Sequence, residues 1–315
     1  MIKVLEEPKI KTIKELLNEY LSKERNYKGE KLIFEGVDGR DVYNITAPFE
    51  DEGELVIAGR VEARDSEYSD IIFFTCSDNV WRPRRNTISF KLQDPFVTRI
   101  NGELVFGGVE VRPHPEKHGY LCWKTLFFRG KTINQLKYFA KGPVLMKDIR
   151  LIQLKDGRIG VFTRPHGKIG GRGTIGFTII NTLDELNPET IMNARLIRNQ
   201  FIKEEWGGVN EAHLLKNGLI GALGHIACYD MYRNRHYYSI VFSLNPETGE
   251  TSPLEIIAIR DDFEEGAAKK PDLADVIFSG GLIRENNGKA TLYAGVSDAE
   301  AHRIVIPDPF IQYEI

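Results

Sequence analysis

Five short glycine turns, each set between apolar runs, constrain this chain more than any other feature. They stand at Asp51-Glu52-Gly53, Asn101-Gly102, Asp156-Gly157, Asn217-Gly218 and Asn287-Gly288. Asn-Gly and Asp-Gly favour the positive φ angles of a type I′ turn, whose twist matches that of two antiparallel strands. Each turn therefore predicts a β-hairpin, and the hairpins recur at intervals of roughly fifty to seventy residues. That period belongs to radial arrays such as propellers more than to sandwiches. The expected fold class is all-β, a five-bladed β-propeller with an N-terminal helix. Such a fold gathers strand starts that are distant in sequence around one axis.

Residues 8–25 carry Ile10, Ile13, Leu16, Leu17 and Leu21 at helical spacing, with charged residues opposite. This predicts a helical segment within residues 1–30, packed on a single catalytic domain of residues 31–315. Strand-like runs follow from residue 31 onward, the first a pair around Asp38-Gly39 within residues 31–45. A further helical turn is compatible with residues 183–197. The charged stretch 261–271 reads as a solvated connection.

Bulk properties narrow the function. A 315-residue chain with a formal net charge of −3 has no global electrostatic reason to bind nucleic acid or an anionic membrane. Cys76, Cys122 and Cys228 are odd in number, far apart and without CxxC spacing, so neither a disulfide framework nor a zinc site is expected. No N-terminal apolar h-region is present, and a soluble cytoplasmic protein is the expectation. Self-association is left open.

Five segments concentrate chemistry-bearing residues. Asp94, within Gln93-Asp94-Pro95-Phe96, precedes a proline that suits the first position of a strand. A carboxyl there is either a proton donor or the acceptor of a turn hydrogen bond. Arg60 and Glu62 point to one side of a strand, as an ion pair or as ligands to sugar hydroxyls or an anion. Arg164, His166, Lys168 and Arg172 lie among glycines in a loop that suits anion binding but lacks the P-loop spacing. Asn210, Glu211 and His213 follow a Gly-Gly pair, with His225 on the next strand. These suit a polyol better than a metal. Asp298 stands in a polar turn after residues 291–296. Tyr229, Tyr232, Tyr237 and Tyr238, interleaved with Arg233, Arg235 and His236, suit stacking on a sugar or base.

Taken in order, these segments resemble the five-bladed propeller β-mannoside phosphorylases. They are more closely similar to a related protozoan and bacterial mannosyltransferase/phosphorylase family, formerly a domain of unknown function. The matching stretches are Tyr43-Asn44-Ile45, Arg60-Val61-Glu62 with Asp65, Asp94-Pro95, Arg164-Pro165, residues 207–210 with Gly224-His225, and Asp298. Gln93 and Phe96 stand where the phosphorylases usually carry Glu and Arg.

The resemblance implies inverting phosphorolysis, and reverse synthesis, of β-1,2-linked mannosides through α-mannose 1-phosphate. Asp94 would protonate the glycosidic oxygen, and Arg60, Arg164, Lys168 and His225 would hold phosphate. Asn44, Glu62, Asp65, Gln93, His166, Asn210, Glu211, His213 and Asp298 would bind substrate. No metal or other cofactor is implied, and inorganic phosphate is the co-substrate. The partner is an oligosaccharide or sugar phosphate. Transfer from GDP-mannose is one alternative, and a non-catalytic carbohydrate- or protein-binding propeller is another. Phosphate is already a nucleophilic anion, so phosphorolysis needs one acid and several cations, whereas inverting hydrolysis needs a second carboxylate as base.

Overall fold

The structure is a computed structural model that describes residues 10–314. Its strands form four sheets, the largest of which joins two antiparallel groups by a short parallel pairing of His236 and Tyr237 with Asp275 and Val276, so that five antiparallel groups can be traced, four of them built from consecutive strands. Group two runs Gln93–Ile100, Glu103–Pro113, Leu121–Gly130 and Lys137–Lys141. Group three runs Arg150–Gln153, Ile159–Thr163, Gly176–Ile180 and Arg195–Leu196. Group four runs Trp206–Leu214, Ile220–Tyr229, Arg235–Leu244 and Glu255–Ala258. Group one is built on Glu54–Glu62, Ser69–Ser77 and Val80–Pro83, with Asp41–Tyr43 and Phe49–Asp51 sharing its inner edge. Group five joins Asp275–Arg284, Lys289–Val296 and Glu300–Pro307 to Glu30–Lys31 from the other end of the chain.

The groups close on one another through apolar faces, because each antiparallel sheet must bury its alternating apolar side chains. Phe73 of group one meets Phe106 of group two, and Phe127 of group two packs with Val161 of group three. Phe162 of group three joins Phe242 of group four, and Val241 of group four joins Leu292 of group five. Tyr293 of group five and Phe74 of group one share a further buried cluster. Truncating one such buried Phe to Ala costs about 3–5 kcal/mol.

Hairpins form at all five turns, in two forms. Glu52-Gly53 and Asn101-Gly102 both have paired positive φ angles, 51° and 82° and then 52° and 80°, as a type I′ turn demands. At Gly157, Gly218 and Gly288 only the glycine is left-handed. These three are longer loops, closed by Leu154 N–H to Arg158 O, Leu215 N–H to Leu219 O and Glu285 N–H to Lys289 O. One extra loop residue replaces the two-residue turn that Asp-Gly and Asn-Gly predict.

Other expectations are corrected. Residues 31–45 do not pair with themselves around Asp38-Gly39. Ile33–Phe34 lies parallel to Val80–Pro83, while Asp41–Tyr43 pairs with Glu54–Glu62. The strand pattern was present, but its partners are remote. The helix is Ile13–Leu21, started by a capping box between Thr12 and Glu15. Pro8 and Lys9 lie outside the described residues. Its buried face is Ile13, Leu16 and Tyr20, and Leu21 is 48% exposed. Tyr20 wins the inward position because its ring packs in the apolar cluster while its hydroxyl donates to Asp262 at 2.7 Å. Residues 183–197 hold a 3₁₀ turn, Leu183–Glu185, and a short helix, Pro188–Met192. No helix among the described residues is long and apolar enough to cross a membrane.

Candidate active site

At or near the first strand of every group one residue departs from regular strand geometry. Asn44 (φ 44°) opens the five-residue break between Asp41–Tyr43 and Phe49–Asp51, and Asp94 (φ 49°) sits in a bulge between Gln93 and Phe96. Asp148 (φ 59°) stands two residues ahead of Arg150–Gln153. Asn210 and Gly280 occupy bulges at 209/211 and 279/281. Left-handed backbone at non-glycine residues is uncommon and concentrates at functional sites. A bulge also re-aims the side chain that carries it. At the glycine position a Cβ would lie 1.6 Å from the Ile45 carbonyl oxygen, so only glycine fits.

Asp94 is buried and turned inward. Its Oδ1 accepts from Asn44 Nδ2 at 2.8 Å and from Arg60 Nη1 at 3.1 Å, and its Oδ2 lies 3.3 Å from Lys147 Nζ. Burial alone would raise its pKa, but Lys147, Arg60 and the two hydrogen bonds to Oδ1 outweigh that and hold the carboxyl well below its ordinary range. Asp94 is therefore ionised in this state. Asp298 is placed by a turn in which Ser297 and Asp298 both have positive φ, 53° and 50°. Burial raises its pKa, against the pull of Arg60 and with the push of Asp94. Two neighbouring carboxyls are thus driven apart in acidity.

Arg60 is committed to carboxylates. Besides Asp94, it donates from Nε and Nη2 to Glu62 Oε2 at 3.1 and 2.6 Å and from Nε to Ser69 Oγ at 2.9 Å. Its guanidinium lies 4.8 Å from the centre of the Tyr43 ring. Glu62 also accepts from Tyr43 Oη at 2.7 Å and pairs with Lys269. Lys269 belongs to the stretch 261–271, expected to be a solvated connection. Its side chain is instead buried, with its ammonium paired to Glu62 and, at 3.3 Å, to Glu67, which compensates the charge there.

A second cluster adjoins the first through Lys147. Asp148 is ion-paired to Arg164 Nη1 at 3.2 Å and lies 3.9 Å from Arg150 Nη2. Burial opposes its ionisation, but Arg164 and Lys147 keep its pKa below the ordinary value. Arg164 Nε donates to Gly207 O at 2.9 Å, and Arg150 Nε donates to Asn210 O at 2.7 Å. His225 Nδ1 lies 2.9 Å from Asn210 Oδ1, and its ring stacks at 5.5 Å on Tyr237. Burial, reinforced by Arg164 and Lys147 against Asp148, holds the imidazole pKa down at about 3, so the ring is neutral. Both carboxylate oxygens of Asp148 and the Asn210 amide nitrogen lack hydrogen-bond partners. Lys147, paired to Asp94 on one side, remains 34% exposed, so this cluster keeps a partly accessible cation.

The sequence-expected residues divide accordingly. Asn44, Arg60, Glu62, Asp94 and Asp298 form one constellation, and Arg164, Asn210 and His225 form the adjoining one. Gln93 is buried, but its amide donates to Glu67 O at 2.6 Å, away from Asp94. Glu211 bonds His213 at 2.8 Å and accepts from Leu282 N–H at 2.7 Å, which ties that pair to group five. Asp65 and Lys168 are exposed, without contact to either cluster. His166 is exposed, with Nε2 at 2.5 Å from Leu145 O. Lys147, Asp148, Arg150 and Lys269 were not anticipated. The first three carried a signal, a charged run ahead of an apolar strand, as at Gln93-Asp94. Among the described residues no group of three or more His, Cys, Asp and Glu is arranged to hold a metal ion.

Solved structures of carbohydrate-active enzymes share this fold. One is described as MPT-4, a mannose phosphorylase from Leishmania mexicana in complex with phosphate ion. It is 37% identical, with 96% of this chain and 95% of that chain covered and a TM-score of 0.88. MPT-1 from the same organism, described as a GDP-Man-dependent mannosyltransferase, is 34% identical over 96% of each chain, with a TM-score of 0.87. The β-1,2-mannobiose phosphorylase from Listeria innocua is 14% identical, covering 87% of this chain and 91% of that one at a TM-score of 0.60, a likeness of fold alone. No curated protein sequence matches. A family model matches residues 19–312, and the chain belongs to that family, DUF1861, described as a protein of unknown function.

Proposed function

We propose that the protein is a glycoside phosphorylase whose five antiparallel groups are the blades of one propeller domain, acting on β-1,2-linked mannosides with inversion. The observation that carries this reading is the juxtaposition at Lys147. One side of that cation holds the Asp94 carboxylate, and the other adjoins Arg164 and the unsatisfied Asp148–Asn210 pocket. An acid and an anion seat then share one hollow, as phosphorolysis requires.

In the proposed step a phosphate oxygen forms the new bond to the anomeric carbon as the bond to the glycosidic oxygen breaks. The proton on Asp94 passes to the leaving oxygen, directly or through a sugar hydroxyl. The products are α-mannose 1-phosphate and the shortened acceptor. Inorganic phosphate is the only co-substrate needed. Arg164 and Lys147 hold the phosphate, with neutral His225 as a hydrogen-bonding wall. Arg60 serves instead to position Asp94, since its donors are already engaged. Asn44, Glu62 and Asp298 border the place of the reacting sugar.

The lowered pKa of Asp94 sets a condition on this chemistry. A phosphate dianion that attracts Lys147 weakens the main coulombic hold on the carboxylate and raises its pKa. Phosphate binding therefore favours the protonated acid, and the acid is armed only when its co-substrate is present.

The second reading, transfer from GDP-mannose, is favoured by the 34% identical mannosyltransferase. The two are separated by incubating purified protein with β-1,2-mannobiose and phosphate, and separately with GDP-mannose and mannose. Phosphate-dependent release of mannose 1-phosphate, lost in Asp94→Asn, is the expected result. Turnover of GDP-mannose alone replaces the first reading with the second.

A further inference from the structure

A second cavity lies away from Asp94, between groups three and four. Its volume is about 770 Å³. It is walled by the outer edge of group three and by the loop that follows Leu244. Strand Arg235–Leu244 runs from the Asp94 side, where Tyr237 stacks on His225, to this loop. The seven steps from Tyr237 to Leu244 span about 23 Å at the rise of an extended strand. The cavity therefore opens at the end of the strand opposite to the Tyr237–His225 contact.

Three features of its lining go unused by the fold. Gln200 is 5% exposed, and neither its amide nitrogen nor its amide oxygen has a hydrogen-bond partner. A buried amide left so costs on the order of 1–3 kcal/mol at each end, so a vacant donor and acceptor side by side demand an explanation. Arg195 and Arg198 reach the same cavity, and neither guanidinium has an ion pair or hydrogen bond among the described residues. Elsewhere arginines are commonly matched, as in Arg84 with Asp51 and Arg284 with Glu314. Between amide and arginines the wall is apolar, from Phe177, Ile179 and Leu254, with the unbonded hydroxyls of Thr178 and Thr251 alongside.

We infer that this cavity binds a nucleoside phosphate. A planar amide with both ends free matches the adjacent donor and acceptor on the edge of a nucleobase. The apolar wall suits the faces of a flat heterocycle, the threonine hydroxyls suit a ribose, and two unpaired guanidiniums suit a phosphate. A sugar phosphate would use the arginines and hydroxyls but would leave the apolar wall without purpose. The site goes beyond the reading of the Asp94 hollow and does not depend on it.

The test is titration calorimetry of the full chain with ADP, GDP and UDP, and with mannose 1-phosphate and inorganic phosphate as controls. The expected result is one molecule of at least one nucleotide bound per chain. Gln200→Leu weakens it by about ten- to a hundredfold, as loss of a paired amide contact does. Arg198→Ala, at the exposed mouth where folding is not at stake, weakens it by about tenfold. Arg164→Ala leaves it unchanged. Absence of nucleotide binding overturns the inference. So does binding lost in Arg164→Ala but kept in Gln200→Leu, which would put the nucleotide in the Asp94 hollow. Equal binding of mannose 1-phosphate or phosphate at Arg198 overturns it too, as does nucleotide binding that appears only after removal of residues 1–9. Phosphorolysis measured in Gln200→Leu stays at the wild-type rate, so either proposal can fail alone.

Discussion

The two halves of the Asp94 hollow are built on opposite plans. Around Asp94, Arg60 and Glu62, an amide, a guanidinium, a serine and a tyrosine meet two carboxylates, with Lys269 completing Glu62, and the Asn44 amide oxygen is the buried atom left without a hydrogen bond. Around Asp148, Arg164 and Asn210 more is left open, since both Asp148 oxygens and the Asn210 amide nitrogen lack hydrogen bonds. A satisfied network fixes geometry, whereas an unsatisfied one retains capacity for a ligand. On the reading proposed above, the first half aims the Asp94 carboxyl, while in the second the anion would meet Arg164, Lys147 and the free Asn210 amide N–H rather than the Asp148 oxygens.

The comparison is broken most directly at Asp94. Asp94→Asn keeps an acceptor for Asn44 and Arg60 but loses the proton, so phosphorolysis falls by about 10²–10⁴-fold or more with the circular dichroism spectrum unchanged. Next in size is Arg60→Ala, which removes the shared guanidinium from buried Asp94 and Glu62 and leaves each with one lysine partner, Lys147 and Lys269. It should lower the unfolding free energy by roughly 3–5 kcal/mol in urea titration. Arg164→Ala tests the open half: the KM for phosphate rises by about tenfold or more, and stability changes less than in Arg60→Ala. Equal effects of the two arginines on phosphate KM would erase the distinction drawn between them.

A fourth prediction concerns pH. His225 is neutral in the fold down to about 3, against 6.5 when unfolded. Between those values the unfolded chain binds the extra proton, so stability falls as pH falls. The contribution reaches about 1.4 kcal/mol per pH unit once the unfolded imidazole is protonated. His225→Gln should flatten the slope of unfolding free energy against pH in that window. The smallest effects belong to Lys168→Ala and Asp65→Ala. Both side chains are exposed and touch neither cluster, so stability should stay within about 0.5 kcal/mol of wild type. A large rise in phosphate KM on losing Lys168 would show that its loop closes over the hollow.

Much of this was legible in the residues. Asp94 ahead of Pro95, and Arg60 with Glu62 on one strand face, were found because turn chemistry and two-residue periodicity are local. Lys147 and Asp148 were missed although the same grammar holds them. Asn44, Asp94, Asn210 and Gly280 each stand seven residues before the first polar residue of their hairpin turn, at Asp51, Asn101, Asn217 and Asn287, and Asp148 stands eight before Asp156. Counting back seven from each turn would have located four of the five and fallen one residue beyond Asp148. Lys269 could not be found that way. It arrives from a connection without periodicity, and its burial is decided by Glu62, some two hundred residues earlier in the chain. The failed self-pairing of residues 31–45 has the same origin, since local pattern identifies a strand but not its partner.

Glu30–Lys31 pairs with the strand Glu300–Pro307, so the first β segment to be synthesised waits for the last one. A chain still emerging from the ribosome without its final fifteen or so residues has neither the seam nor the support behind Asp298. Asp298 and the pairing of Glu30–Lys31 with Glu300–Pro307 thus depend on contacts between segments some 270 residues apart, and a cut anywhere between them would leave that seam to be rebuilt by association alone.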